Sequence, residues 1–383
     1  MSYYKFKKLI VGNGTSIENK IMHVEDGKIL EFLDSYDGDM IQADYIMPGL
    51  IDCHTHICFP PVADMMGAME KMNDTDIVMH AVKNLEDILK GGVTYIRDVG
   101  GVNNIQLHLK KYLKDGSIKG PDMLCAGKIV TMTGGHGWTV GRECDGPDEV
   151  RKAVREQLKA GADLIKVISS GGVLTPGVDV NAYQFNVDEL IAAREEAHKA
   201  GRKICTHCHS MQGVKNSILA GIDSVEHATI LDQEAVDMAI DAGTYFVPTL
   251  SAVHFIIKHG EEGGIPKYAV DKSKSVFKKH QASFKLSYKS GVKIAMGTDV
   301  GTPFNKHASS SAFELELMVK AGMTEMDAIL SATKNAAMLL GVDHTHGTLE
   351  AGKVADFLVL EEDPIKNIKT IQSPSVYKNG LKI

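Results

Sequence analysis

The chain has 383 residues, 44% of them hydrophobic, and a formal net charge of −7 at pH 7. This length allows a large buried core, while the acidic balance and scattered lysines argue against binding to nucleic acid or to an anionic membrane. The sequence contains no run of about 18 apolar residues and no signal-peptide pattern, and its six cysteines are too few for a disulfide scaffold. We therefore expect a globular cytoplasmic protein with reduced thiols and a small-molecule partner.

The two ends of the chain have a β pattern. Residues 3–47 alternate short β-like runs with turns such as Gly12-Asn13-Gly14, and residues 347–360 return to the same pattern near the C-terminus. Each end is too small to bury a core alone, so we predict that 1–47 and 346–383 pack together as one domain. The Pro48-Gly49 turn begins a second domain, which we place at 48–345.

One phrase recurs through this second domain: a glycine, a short β-branched run, and a polar residue able to do chemistry. The phrases begin at Gly92, Gly161, Gly201, Gly221, Gly243 and Gly291. Glycine suits a helix C-terminus because it enters the left-handed conformation freely, and β-branched runs favour strands. The phrase therefore predicts repeated β/α units. In a parallel barrel the carboxyl ends of the strands meet around one mouth, where Lys166, His207, His227 and Asp299 would converge.

The first predicted strand of this domain carries His54-Thr55-His56. Residues two apart on a strand face the same side, so both imidazoles can bind one metal ion. Paired histidines also occur on ordinary strands, and the motif gains its weight from the later strand ends. Together these positions supply four imidazoles and a carboxylate, a ligand set that suits zinc or a similar divalent ion.

Lys166 needs a separate explanation, because an ammonium group has no lone pair for a metal and is costly to bury unpaired. One interpretation is a buried lysine paired with a carboxylate. The other is that CO₂ has added to the amine, which gives a carbamate anion able to bridge two metal ions.

Six segments then identify a family. They are PGLIDCHTHI at 48–57, DLIKVISSGG at 163–172, HCHS at 207–210, VEHATILD at 225–232, MGTDVGTP at 296–303 and GTLEAGKVADFLVL at 347–360. In this order they resemble the amidohydrolase superfamily. More narrowly, they are similar to its imidazolonepropionase-like branch, in the group of metal-dependent Xaa-Pro dipeptidases and related carboxypeptidases.

The resemblance implies an α/β fold, a (β/α)₈ TIM barrel at 48–345 flanked by a β-sandwich built from 1–47 and 346–383. It also implies two divalent metal ions, with zinc as the expected metal. His54, His56 and Asp299 would bind one ion, His207 and His227 the other, and N-carboxylated Lys166 would bridge them. Imidazolonepropionase is similar in layout but mononuclear, and the lysine favours the binuclear group.

This ligand set predicts hydrolysis of an amide bond. Water shared by two metal ions has its pKa lowered from about 15.7 toward about 7, so hydroxide is available at neutral pH. Asp299 can take the proton as hydroxide attacks a carbonyl and pass it to the leaving amine. His136, in the glycine-rich loop 133–137, is our candidate for supporting the oxyanion; alternatively, its hydrogen bonds serve only to make that loop rigid.

Loops after the strands should carry the substrate-binding residues. Our candidates are Arg97, Arg142, Tyr183, His209, His254 and His307. Arginine suits a carboxylate because its planar fork bonds bidentately, so we expect a dipeptide or N-acyl amino acid with a free carboxylate as the substrate. After the fifth strand, some Xaa-Pro dipeptidases of the group that this chain resembles have a His-x-Tyr motif, whereas this chain has His207 and His209. We further expect a homo-oligomer.

Three alternatives remain open at this point. The first is a mononuclear, imidazolonepropionase-like hydrolase of a cyclic amide. The second is a non-catalytic barrel that binds metal, since a fold does not fix a function. The third is c-type haem attachment, because residues 205–209 read C-x-x-C-H; against it, Cys205 and Cys208 on one strand would face opposite sides.

Overall fold

The computed structural model describes residues 1–383. Its strands are β1 (Ser2–Ile10), β2 (Ser16–Glu18), β3 (Ile21–Glu25), β4 (Lys28–Leu33), β5 (Ile41–Pro48), β6 (Leu50–Thr55), β7 (Val93–Asp98), β8 (Asp122–Cys125), β9 (Val130–Thr131), β10 (Arg142–Glu143), β11 (Leu164–Ile168), β12 (Lys203–Cys208), β13 (Ser224–His227), β14 (Tyr245–Val247), β15 (Phe357–Leu360), β16 (Ser375–Lys378) and β17 (Leu381–Lys382). Its α-helices are α1 (Met65–Met69), α2 (Asp74–Lys90), α3 (Ile105–Lys114), α4 (Gly146–Ala160), α5 (Val187–Lys199), α6 (Met211–Leu219), α7 (Gln233–Ala242), α8 (Leu250–His259), α9 (Lys267–Ser290), α10 (Ser310–Lys320), α11 (Glu325–Ser331) and α12 (Lys334–Leu340). Short 3₁₀ helices occupy Glu261–Gly263 and Ile368–Gln372.

Helices and parallel strands alternate through the middle of the chain, which confirms the predicted α/β class. The helix ends follow the local sequence. Gly161 and Gly291 cap the C-termini of α4 and α9 in the left-handed region, with φ of 96° and 87°. Asn73 and Asn186 begin α2 and α5 with capping boxes, because each side chain accepts a hydrogen bond from the third helical N–H.

Strands from both ends of the chain share one eight-stranded sheet. Its order is β17-β16-β15-β5-β1-β3-β4, with β2 paired to β1. Strands β1 and β5 are parallel, and the other pairs are antiparallel. Phe357 and Tyr377 stack with ring centroids 4.6 Å apart, and Tyr4 packs edge-on against both. The N-terminal and C-terminal segments therefore bury a common apolar cluster.

The other strands form two parallel sheets, β6-β7-β8 and β10-β9-β11-β12-β13-β14. Single parallel bridges connect neighbouring segments at Ala126–Leu164, Phe246–Ile294 and Thr55–Val300. In β12 and β13, His207 pairs with Glu226 and Cys208 with His227. This register brings the carboxyl ends of consecutive strands, and the polar residues on them, to the same edge.

The six cysteines are all unpaired and buried. Cys205 packs with Val99 and Leu164, whereas Cys208 belongs to a different apolar cluster with Val214. The two thiols therefore face opposite sides of β12, which argues against haem attachment. None of the helices has both the length and the apolar character that crossing a membrane would require.

Candidate active site

The polar residues at the strand ends converge on one cavity. Its polar lining consists of His54, His56, His136, Lys166, Thr175, His207, His209, His227, Asp299 and Thr302. All six residues predicted to bind metal are in this set. The strands bring them together from positions far apart in the sequence, as the β/α repeat requires.

His54, His56 and Asp299 form the tightest group. Oδ1 of Asp299 lies 3.4 Å from Nε2 of His54 and 3.4 Å from Nε2 of His56. The three potential ligand atoms lie within 4.8 Å of one another. Two imidazole nitrogens and a carboxylate oxygen are donors that zinc and similar ions accept, so this group fits a divalent metal ion.

Hydrogen bonds at Nδ1 orient these two imidazoles. His54 donates to the carboxylate of Glu226 at 2.8 Å, and His56 donates to the carbonyl oxygen of Gly100 at 2.7 Å. Burial, followed by repulsion from Lys166, lowers the pKa of His56 to about 3 and holds the pKa of His54 well below its usual value. Both rings are therefore neutral, and their Nε2 lone pairs are directed into the cavity.

Further imidazoles lie beside this group. The ring of His227 is 5.0 Å from that of His54 and 4.6 Å from that of His207. Nδ1 of His227 bonds to Oγ1 of Thr249 at 2.6 Å, whereas Nε2 of His207 lies 3.3 Å from the oxygen of Gly171. Burial is the first cause that lowers the pKa of both histidines, so each offers a lone pair on its free nitrogen.

Lys166 is 2% exposed and lies on β11 among these rings. The carboxylate of Asp299 pairs with His54 and His56, and no carboxylate lies within ion-pairing distance of the Lys166 ammonium. The geometry therefore does not support the first interpretation of Lys166, a buried lysine paired with a carboxylate. A buried, unpaired ammonium among neutral imidazoles is an unfavourable arrangement that a carbamate anion and metal ions would relieve.

The backbone at the site is strained. His227, Ala228, Thr249 and Asp299 have φ of 69°, 47°, 51° and 59°, in the left-handed region that few residues other than glycine adopt. Such strain is retained where the surrounding structure fixes it, often at active sites. Asp52 contributes to this fixing, because its carboxylate accepts hydrogen bonds from the backbone N–H groups of His54 and Thr298 and so joins β6 to the segment that carries Asp299.

Asp299 has a buried carboxyl group. Desolvation raises its pKa to about 7, against the opposing influence of Lys166. His136 lies across the cavity, with its ring 4.3 Å from that of His207, and its Nδ1 bonds to Oγ1 of Thr175 at 2.7 Å. The oxygen of the Thr175 hydroxyl also accepts a hydrogen bond from the N–H of Gly137, so the hydroxyl itself can donate to Nδ1 of His136. In that tautomer the proton of the imidazole is on Nε2, which is left as a donor.

Of the six predicted substrate-binding residues, only His209 lines the cavity. Arg97 is 2% exposed and bonds to Glu226, Ser224 and the carbonyl of Cys53. Its guanidinium lies beneath the histidines, where the buried carboxylate of Glu226 compensates its charge.

The remaining four candidates also lie elsewhere. Arg142 forms an ion pair with Glu156 of helix α4, and Tyr183 is 51% exposed. His254 lines a separate groove between helices α8, α9 and α10. His307 is buried behind the site, with Nε2 3.2 Å from the carbonyl oxygen of His56. These five residues, expected to contact the substrate, therefore do not line the cavity.

Two features of the site were not predicted from the sequence. The first is Glu226, although its position directly before His227 in the β13 strand was visible. The second is the apolar wall, which includes Met65, Met66, Val173, Leu174, Val253 and Ile256. No arginine lines the cavity, and Lys166 is its one lysine.

Comparison with known proteins decides the family. Residues 45–381 match the amidohydrolase family. The chain belongs to the amidohydrolase family. This amidohydrolase is 31% identical to the ochratoxinase of Aspergillus niger over 424 aligned positions, which cover 97% of this chain and 84% of the relative.

Two further relatives agree with the predicted branch. The solved structure of a Xaa-Pro dipeptidase with methionine bound in its active site is 31% identical, has a TM-score of 0.93, and covers 100% of this chain and 99% of its own. The imidazolonepropionase of Methylobacterium nodulans is 24% identical, over 90% of this chain and 88% of the relative. The chain is thus a hydrolase that acts on C–N bonds, and the family predicted from the sequence is confirmed.

Proposed function

We propose that this amidohydrolase uses two divalent metal ions to hydrolyse dipeptides or N-acyl amino acids that have a free carboxylate and an apolar side chain. The observation that carries the proposal is the group of neutral imidazoles around Asp299 and the unpaired, buried Lys166. His54, His56 and Asp299 would hold one ion, and His207 and His227 the other. Lys166, N-carboxylated, would contribute to both, and zinc is the metal that best suits these donors.

The bound ions would supply Lewis acidity and lower the pKa of water toward about 7. The oxygen of the attacking water bonds to the scissile carbonyl carbon, and Asp299 accepts a proton from that water. Nε2–H of His136 donates to the oxygen that becomes negatively charged. The C–N bond then breaks as Asp299 returns the proton to the leaving nitrogen, which yields a carboxylic acid and an amine.

The cavity wall supports an apolar substrate. Met65, Met66 and Leu174 offer apolar surface to a side chain or acyl group, and burying one methylene there contributes about 0.8 kcal/mol. The similar Xaa-Pro dipeptidase that binds methionine supports the same substrate class. With the arginines directed elsewhere, His209 is the candidate that receives the carboxylate.

We propose that the two parallel sheets close into a (β/α)₈ barrel at 48–345 through the bridges at Ala126–Leu164, Phe246–Ile294 and Thr55–Val300. The shared terminal sheet supports a second domain made of 1–47 and 346–383.

The test combines metal analysis with a substrate panel. Purified protein should contain two metal ions per chain, and the Lys166→Ala variant should lose metal and activity together. Xaa-Met and Xaa-Pro dipeptides and N-acetyl-methionine should be cleaved, while their C-terminal amides should react much more slowly. Faster cleavage of neutral lactams or esters would overturn the peptidase assignment, and one metal ion per active chain would favour the mononuclear alternative.

A further inference from the structure

The segment 171–182 forms one wall of the cavity through Val173, Leu174 and Thr175. It has no regular secondary structure of its own and connects β11 to α5. A loop of this length next to an active site needs contacts that fix its position. Helix α9 supplies most of those contacts, and three of its hydrogen bonds come from one residue.

Lys272 holds this wall. Its ammonium donates to the carbonyl oxygens of Gly172 at 3.3 Å, Thr175 at 2.7 Å and Val178 at 2.5 Å. An ammonium group has three N–H donors, so all of them are directed to this one loop. One turn earlier on the same face of α9, the hydroxyl of Tyr268 donates to the carbonyl oxygen of Leu174 at 3.1 Å.

Apolar contacts support the same placement. Val173 and Val180 of the loop pack with Ala269 and Val276 of α9 in one buried cluster, which also includes Ile256 of α8. Lys272 is half-buried, and desolvation lowers its pKa. Its side chain is therefore committed to the loop rather than to solvent.

The loop in turn positions His136. Oγ1 of Thr175 bonds to Nδ1 of His136, and the same oxygen accepts the N–H of Gly137. The ring of His136 lies directly on Gly172, where a Cβ would overlap with its Cε1 and Nε2 atoms. Lys272 thus bonds to the carbonyl oxygens of Gly172 and Thr175, the two loop residues that contact this imidazole.

We propose that Lys272 is a positioning residue that fixes the orientation of His136 toward the cavity by clamping residues 172–178. The functional part of this inference rests on the proposed function, in which His136 supports the oxyanion. A displacement of about 1 Å at a catalytic group can cost about 100-fold in rate, so a residue outside the cavity can control turnover in this way.

The first arm of the test measures the loop and needs no substrate. Lys272→Met keeps the length of the side chain and removes its donors, while Lys274→Met is the matched control because Lys274 is exposed on the same helix. Amide hydrogen exchange should accelerate about fivefold or more in Lys272→Met at Gly137, whose N–H donates to Oγ1 of Thr175, and at Gly171, whose N–H donates to the carbonyl oxygen of Ala182. It should stay unchanged at both positions in Lys274→Met. The single tryptophan, Trp138, lies in the loop next to His136 and should become easier to quench with acrylamide. Unchanged exchange and quenching would overturn the clamp, whether or not the chain hydrolyses amides.

The second arm is a double-mutant cycle on the hydrolysis of N-acetyl-methionine. Lys272→Met should lower kcat by about 10- to 100-fold with full metal content, and His136→Phe should lower it at least as much. If Lys272 acts through His136, the double variant should be no slower than His136→Phe alone, and Lys272→Arg should recover part of the rate. Additive losses would overturn the link to His136. If the unmodified chain hydrolysed neither N-acetyl-methionine nor the Xaa-Met and Xaa-Pro dipeptides, the proposed function would be overturned, while the first arm would still decide the clamp.

Discussion

Glu226 accepts a 2.8 Å hydrogen bond from Nδ1 of His54, and both side chains are almost completely buried. On its other side, the same carboxylate pairs with Arg97 at 2.8 Å. The carboxylate therefore fixes which nitrogen of His54 carries the proton, while the guanidinium compensates the buried negative charge. Arg97, expected from the sequence to bind substrate, instead compensates the carboxylate that orients His54, one of the proposed metal ligands.

This arrangement predicts separate effects on stability and metal affinity. Glu226→Gln should weaken metal binding about 10- to 100-fold, measured by competition with a chelator, because the charged acceptor behind His54 is lost. It should also lower the free energy of unfolding by about 3–5 kcal/mol, since Arg97 is left as an uncompensated buried charge. Combining Arg97→Met with Glu226→Gln should restore much of the stability but not the metal affinity. A folded double variant that binds metal like the unmodified chain would contradict the role of Glu226.

Asp299 should be essential for turnover. Asp299→Asn keeps the size of the side chain but cannot accept and return a proton, so kcat should fall by at least about 10²–10⁴-fold. Circular dichroism should show an intact fold, and metal analysis should show whether metal loss accounts for the effect. A variant with full metal content and nearly unchanged kcat would rule out Asp299 as the proton carrier.

Much of the site could be predicted because its chemistry lies at strand ends. The glycine and β-branched pattern located Lys166, His207, His227 and Asp299, and the family resemblance connected them. Arg97 was expected at the cavity because it lies near the end of β7, and the sequence does not show that Ser224 and Glu226 of β13 engage its guanidinium beneath the histidines. Lys272 was invisible for a different reason: it is one of many lysines on α9, and only the fold brings the 172–178 loop to it.

The junction between the terminal sheet and the rest of the chain depends on Lys378. Its ammonium lies 2.8 Å from Asp122 and 3.0 Å from Asp356, and it also donates to the carbonyl oxygen of Thr94. Lys378→Met should lower the free energy of unfolding by about 3–5 kcal/mol in urea titrations, because the buried carboxylate of Asp356 loses its partner. Lys382→Met, on an exposed residue of the same sheet edge, should change it by less than about 0.5 kcal/mol. Equal midpoints for the two variants would show that Lys378 does not stabilise the junction.

Glu196 should make the α4–α5 contact sensitive to acid. Its carboxylate on α5 accepts hydrogen bonds from Arg155 of α4 and from Lys199, and its side chain is 8% exposed. The hydrogen bond from Arg155 is the main cause that lowers the pKa of Glu196 to about 2, from an ordinary value of 4.5. Above pH 4.5 the carboxylate is charged in both the folded and unfolded chain, and its contribution to stability is fully present.

Between pH 4.5 and about 2, the unfolded chain binds a proton at Glu196 that the folded chain does not, so this contribution decreases as the pH falls. Glu196→Gln lacks the titrating group. The difference in Tm between the unmodified chain and Glu196→Gln should therefore be largest at pH 6 and should shrink at pH 3, measured by thermal unfolding in the same buffers. Glu18→Gln provides the control, because Glu18 is exposed and forms no ion pair. Its Tm difference from the unmodified chain should stay nearly constant over this range. A Glu196→Gln difference that is the same at pH 6 and pH 3 would mean that the Arg155 interaction does not favour the charged carboxylate in the folded chain.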